Sequence, residues 1–257
     1  MLITIDIGNS SINIGFFSSS ERVVRRINTC PLRACEEYYS LLSGWIADYG
    51  VEKSPLSGII SSVVGDHAAT LKEALVRLAD HGDIDIVNVS HLLDSGLKFT
   101  VDRPDEIGPD RIAAAVGASS TYGVPVASVD FGTATTVTVV DKDFQLAGGA
   151  IMPGLGLMSE MLERGTSRLG EIKVLEPQTA LGKNTRECIH AGMFYGTAGG
   201  VDRILAEIEE ELKCSLKVVV TGGYGHSAGR FLRKSHAFNP ELVLDGLKVL
   251  YEKNRRL

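Results

Sequence analysis

Two short stretches hold residue types arranged for phosphate chemistry. Near the N-terminus the run Leu2-Ile3-Thr4-Ile5 leads into Asp6, Ile7, Gly8, Asn9, Ser10, Ser11, Ile12 and Asn13. Midway along the chain, VASVDFGTATT (residues 126–136) repeats the pattern: an apolar run, Asp130, Gly132, then hydroxyls at Thr133, Thr135 and Thr136. A carboxylate delivered at the end of a strand can hold Mg²⁺ or its waters. Glycine permits a backbone shape that aims N–H groups at an anion with no side chain in the way. Small hydroxyls add donors toward phosphate oxygens. Either stretch alone also reads as a plain Asp-x-Gly turn. The two together, each behind a strand, read as a duplicated device for gripping a nucleotide.

Further candidates lie between and beyond these turns. Gly108-Pro109-Asp110-Arg111 stands directly before the Ala-rich segment 112–118, which reads as a helix. Asp110 there is either a helix cap or, with Arg111, a proton acceptor and carboxylate clamp beside a phosphate site. Ser61-Ser62 either face a ligand at a strand end or cap the next helix. Thr221-Gly222-Gly223 forms a third glycine turn after an apolar strand, where open α/β sheets bind ligands. Gly182-Lys183-Asn184-Thr185 is not a P-loop, because the upstream glycine and its spacing are missing. No GxGxxG follows the first strand, which disfavours a nicotinamide-binding domain.

The elements that position these residues follow from periodicity. Segments 2–7, 11–17 and 22–27 read as a three-stranded meander. Cys35, Tyr38, Leu42, Trp45, Ile46 and Tyr49 recur at helical spacing. A strand over 57–64, a helix marked by Leu71, Leu75 and Leu78, and a strand over 84–89 complete a βββαβαβ order. The alternation at its end implies parallel strands with crossover helices. Residues 91–110 read as a loop. A second meander follows over 125–129, 136–140 and 145–151, then a helix over 157–164 and irregular chain over 171–178. A long helix opens at 182–185, a strand spans 217–220, and a closing helix spans 242–253.

Composition narrows the class. A length of 257 residues suffices for two lobes, and 44% hydrophobic with 23% charged residues is ordinary for a soluble globular protein. The net charge of −6 argues against non-specific nucleic-acid binding. No run is long enough to cross a membrane, and the opening residues lack a signal-peptide layout. Four cysteines, Cys30, Cys35, Cys188 and Cys214, show no paired metal spacing, which reads as reduced thiols in a cytoplasmic protein. The six histidines lack ligand spacing and read as surface or structural residues.

Two strand–Asp–Gly turns with a late TGG resemble the acetate kinase, sugar kinase, Hsp70 and actin superfamily. The order DIGNS, GPDR, DFGTATT, GG-x-I-x-PG, GKNT and TGG, from Asp6 to Gly223, with FNPELVLDGL near the end, resembles type III pantothenate kinase over essentially the whole chain. The resemblance implies an α/β, duplicated ribonuclease H-like actin/Hsp70-type kinase fold. Its two lobes, residues 1–110 and 111–257, would have an ATP cleft between them. It implies ATP-dependent phosphorylation of the terminal hydroxyl of pantothenate, the first step of coenzyme A biosynthesis. Asp6 to Asn13 would form the first phosphate loop, with Asp6 near Mg²⁺. Gly108, Pro109, Asp110 and Arg111 would bind pantothenate, with Asp110 the catalytic base. Asp130 would hold a monovalent cation, K⁺ or NH₄⁺, while Thr133, Gly222 and Gly223 would contact ATP and Thr185 the substrate. A cytoplasmic homodimer with no nucleic-acid or membrane partner is implied as well.

The sequence departs from that pattern on the acceptor side. Val101 and Arg103 replace the family's Tyr and Asn, Pro109 replaces Ala, and Leu169-Gly170 replaces Leu-Pro. These changes leave two other readings open: a same-fold kinase for another small hydroxy acid, and a non-catalytic regulatory relative.

Overall fold

The computed structural model describes residues 1–18, 22–48, 56–79, 84–165 and 170–255. Its chain divides into two compact units: Met1–Leu97 with Asp102–Ser120 and Val243–Leu257, and Lys98–Val101 with Thr121–Leu242.

The first unit opens with the expected meander of β1 (Leu2–Ile7), β2 (Ser11–Phe17) and β3 (Arg22–Asn28). It continues through α1 (Cys35–Asp48), β4 (Ser57–Ser62), α2 (Gly65–Leu78) and β5 (Asp85–Asn88). Strand order is β3-β2-β1-β4-β5, antiparallel in the meander and parallel from β1 through β4 to β5. The parallel pairs follow from the crossover helices, since a short turn cannot return the chain in the same direction. Ile3, Ile5, Ile12 and Ile14 meet Tyr38 and Leu42 of α1 and Leu71 and Leu75 of α2 in one core. Each such side chain contributes roughly 1.5–3 kcal/mol on burial. Trp45 sets its ring edge-on to Phe16 at 6.2 Å, so the aromatics of this face are core. Tyr49 lies outside the described residues. His67 is structural, sharing a buried 2.6 Å hydrogen bond with the Tyr38 hydroxyl.

The segment read as a loop over 91–110 holds a two-residue strand, β6 (Lys98–Phe99), and a 3-10 turn, Pro104–Glu106. Helix α3 (Pro109–Tyr122) then begins, longer at both ends than expected.

The second unit restarts the layout with β7 (Val126–Phe131), β8 (Ala134–Val140) and β9 (Gln145–Pro153). Next come α4 (Leu155–Gly165), α5 (Thr185–Leu212), β10 (Lys217–Thr221), α6 (Gly225–Gly229) and β11 (Ala237–Phe238). The order β11-β10-β7-β8-β9-β6 repeats that of the first sheet, strand for strand, with β6 added at one edge. Val129, Phe131, Val137, Met193, Phe194 and Leu205 lead its core. Asp6 and Asp130 are each the next-to-last residue of the first strand of their meander. The duplication expected from the two turns is therefore present in strand order and in the carboxylate's position.

Helix α7 (Leu242–Asn254) closes the chain. It packs on α3 so closely that a Cβ at Gly246 would stand 1.8 Å from the Ala113 carbonyl oxygen. Arg22 bonds Asp245 at 2.6 Å, and the Tyr251 hydroxyl donates to Asp85 at 3.0 Å. These contacts give α7 and most of α3 to the first unit, whereas boundaries of 1–110 and 111–257 would put α7 and all of α3 but its first two residues in the second. Among the described residues no helix is long and apolar enough to cross a membrane.

Candidate active site

In the first unit β1 delivers Asp6 between two polar neighbours, Asn13 on β2 and Ser61 on β4. The Ser61 hydroxyl donates to Asp6 Oδ1 at 3.1 Å, and the Asn13 side chain also hydrogen-bonds this carboxylate. Burial and the charge of Asp110 push the Asp6 carboxyl up to about 7, against the two hydrogen bonds that pull it down. Asp110 is raised from its ordinary value by burial, partly offset by the Arg111 backbone N–H and the Arg111 charge. Burial in turn lowers Arg111, with Asp110 opposing. Two carboxylates and one guanidinium thus share a partly buried corner of this unit. Like charges held this way favour a proton or a divalent cation, so the site fits Mg²⁺ at Asp6.

Asp110 sits in the first turn of α3, where Oδ1 accepts the N–H of Arg111 at 2.9 Å. The carboxylate thus bonds first-turn backbone from inside α3 rather than from the cap position before it. Gly108 is required for its pose, because a Cβ there would fall 2.3 Å from Asp110 Oδ1. Pro109 occupies the first helical position. An N–H at that position has no intrahelical partner, so this departure costs the helix nothing.

The turn after β1 is closed by backbone, as is the one after β7. The Gly8 N–H donates to the Ser11 carbonyl at 3.0 Å and the Gly132 N–H to the Ala134 carbonyl at 3.0 Å. Neither glycine lies in the left-handed region. They serve close approach instead: a Cβ at Gly132 would meet Asp130 Oδ1 at 3.1 Å. Ile7 and Ile12 are buried in the core and reach the turn through backbone alone. Asn9 and Ser10 are exposed at its tip, with Ser11 half-buried beside them. Thr29, which the motif reading missed, braces this turn by donating its hydroxyl to the Gly8 carbonyl at 2.7 Å. Its only sequence signal is its place at the end of the third strand.

In the second unit Asp130 pairs in register with Thr136 on β8 and Thr221 on β10. Gly222, at φ 93°, brings the TGG turn against it, and a Cβ there would lie 2.2 Å from Asp130 Oδ1. The Tyr224 N–H donates to the Phe131 carbonyl at 2.9 Å, tying that turn to β7. Gly154 of the PG stretch packs on the other turn, its N–H donating to the Thr133 carbonyl at 3.0 Å. Thr133 and Gly223 are exposed. A carboxylate flanked by two hydroxyl-bearing residues is an all-oxygen donor set, which suits a hard cation. Among the described residues no group of three or more His, Cys, Asp or Glu is placed to hold a metal.

Thr185 is the exposed first residue of α5. Asn184 caps that helix by accepting the Glu187 N–H at 3.0 Å, while Glu187 accepts the Lys183 N–H at 2.7 Å. The GKNT string is thus a capping box rather than a phosphate loop. Ser62 caps nothing in α2: its hydroxyl bonds the Val64 backbone, and no side chain caps that helix. Of the departures, Arg103 is exposed and held by Asp105 at 2.9 Å and Glu106 at 3.3 Å. Val101 lies within 4.0 Å of a Cβ placed on Gly148. Leu169 is outside the described residues.

A family model described as type III pantothenate kinase matches residues 2–207. The type III pantothenate kinase of Anaeromyxobacter sp. (strain K) is 36% identical over 259 residues, 99% of this chain and 100% of that one. Among solved structures, the activator of 2-hydroxyisocaproyl-CoA dehydratase from Clostridium difficile, with bound ADPNP, is 13% identical with a TM-score of 0.56. It covers 98% of this chain and 95% of its own. MreB5 of Spiroplasma citri bound to ADP is 12% identical with a TM-score of 0.52, covering 98% and 96%. The likeness to these two is one of fold. With the motif order and full-length identity together, the chain belongs to the type III pantothenate kinase family.

Proposed function

We propose that this chain transfers the γ-phosphoryl group of ATP to the terminal hydroxyl of pantothenate, giving 4'-phosphopantothenate and ADP. The observation that carries the reading is the pairing of Asp6 and Asp110 in one corner, with Asp110 presented by the α3 N-terminus beside Arg111. Asp110 takes the proton of the attacking hydroxyl as the new P–O bond forms and the bond to the ADP oxygen breaks. Its raised proton affinity brings it closer to that of a competent base at neutral pH. Arg111, with Gly108 and Pro109, binds the acceptor, and Thr185 contacts it at the start of α5. The Asp6–Asn13 segment takes ATP phosphates, Thr133 touches the nucleotide, and Gly222 and Gly223 lie beside its adenosine. Asp6 would hold Mg²⁺, which would supply neutralisation of phosphate charge, and Asp130 would hold K⁺ or NH₄⁺. Phosphoryl transfer needs alignment and charge neutralisation more than covalent help, and these residues supply both. The protein works as a cytoplasmic homodimer and uses neither nucleic acid nor membrane.

Arg103 bears on the alternative acceptor. Its side chain is occupied by Asp105 and Glu106, so it adds no cation for a different acid. The deciding measurement is pantothenate-dependent ADP release in Mg²⁺ and K⁺. Wild type is expected to turn over, and Asp110→Asn to lose at least roughly a hundredfold in kcat. ATP binding without pantothenate-dependent turnover in the wild type would sink the reading and direct a screen of other hydroxy acids.

A further inference from the structure

The strand register places a polar row across the first sheet: Asn13 on β2, Asp6 on β1 and Ser61 on β4. In-register neighbours on adjacent strands present their side chains to the same face. Ser61 is fully buried, and its hydroxyl donates to Asp6 Oδ1 at 3.1 Å. Asn13 hydrogen-bonds the same carboxylate from the opposite strand. The second sheet repeats the row with Thr136, Asp130 and Thr221, the last again fully buried. In both units a strand-end aspartate is thus flanked on each side by a polar residue of the neighbouring strand.

We infer that Ser61, with Asn13, is a positioning residue that fixes the Asp6 carboxylate for the Mg²⁺–nucleotide. This rests on the assignment of Asp6 to the metal. A carboxylate at a strand end can rotate about its terminal torsion, which is broad and roughly two-fold. A donor on each flank removes that freedom and fixes the plane of the carboxylate. Groups that orient a metal-binding carboxylate typically govern metal affinity or activity by roughly 10–100-fold. Ser61 lies some fifty residues from the motif it serves, at the end of a strand whose hydroxyls read equally well as a helix cap.

The test compares Ser61→Ala, Ser61→Thr and Asp6→Asn in the full chain, following ADP release against Mg²⁺ at fixed ATP and against pantothenate at saturating Mg²⁺. Ser61→Ala is expected to raise the half-saturating Mg²⁺ by roughly tenfold and to leave the pantothenate KM unchanged. Ser61→Thr keeps the donor and adds a methyl that the equivalent position in the second sheet, Thr221, accommodates. It is expected to restore the wild-type Mg²⁺ dependence. Thermal melting of all three variants reports on the fold. Ser61→Ala matching wild type in Mg²⁺ dependence, while Asp6→Asn is inactive, overturns the positioning role alone. Equal losses in Ser61→Ala and Ser61→Thr with lowered melting temperatures also overturn it, by showing a packing role. An active Asp6→Asn overturns the assignment of Asp6 itself.

Discussion

Asp6 has a consequence for stability that its chemistry does not require. In the unfolded chain its carboxyl titrates near 3.8, whereas burial and Asp110 push it to about 7 in the folded protein. Between those values the folded state binds more protons than the unfolded state, so unfolding free energy falls as pH rises. The full span corresponds to an upper figure on the order of 4 kcal/mol. Asp110 is shifted in the same direction and adds to the slope. Chelator-treated protein is therefore expected to melt at a lower temperature at pH 7 than at pH 5, with Asp6→Asn flattening that decline. A pH profile unchanged by Asp6→Asn would contradict the burial that the site depends on. The residue itself was readable from the sequence, because Asp-x-Gly after a strand is a local signal. Much of its surroundings was not. Ser61, Thr29 and the pose of Asp110 over Gly108 depend on which strands become neighbours, and that information lies in pairing between distant segments.

At the scale of elements, the start of α5 joins an observed helix cap to the substrate contact proposed for Thr185. Asn184 and Glu187 close a capping box around the first turn, and Thr185 is presented by that turn. Asn184→Ala is expected to lower stability by about 1 kcal/mol, read by urea unfolding, and to raise the KM for pantothenate with kcat nearly kept. An unchanged KM would separate the cap from the substrate contact and leave Thr185 without a role. The regular elements were legible because each carries its own periodicity: the isoleucines alternate along β1 and β2, and the leucines of α2 recur at helical spacing. Those not foreseen were β6, α6 and β11, of two, five and two residues. Segments that short have no period of their own and exist because a neighbouring strand or turn supplies partners. Lys98 and Phe99 become a strand only by pairing with Gln145 and Leu146. The expected strand over 57–64 stops at Ser62 for a related reason: β5 continues the pairing only as far as Ile60, and Val63 is exposed.

At the scale of the whole molecule, the two sheets share one strand order, yet the units are not two consecutive pieces of chain. The seam that makes them discontinuous is the contact of α7 with α3, where Gly246 meets backbone at Ala113 and Gly117. Gly246→Ala places a methyl 1.8 Å from a carbonyl oxygen, and neither helix backbone can yield as a side chain can. A loss of roughly 3 kcal/mol or more is expected in urea unfolding; a variant as stable as wild type would show that the helices are free to separate. This seam was out of reach of the sequence reading, which saw a repeat and cut it once. A glycine inside a helix has several uses, and nothing local to Gly246 says that another backbone runs beside it. The arrangement bears on how the protein is made. Because α7 follows every element of the second unit, a ribosome releases all of β7 to β11 before the helix that covers α3. At roughly 5–20 residues per second the nascent first unit stands unfinished for on the order of ten seconds. Through that interval the α3 backbone at Ala113 and Gly117 lacks the helix that packs on it in the finished fold.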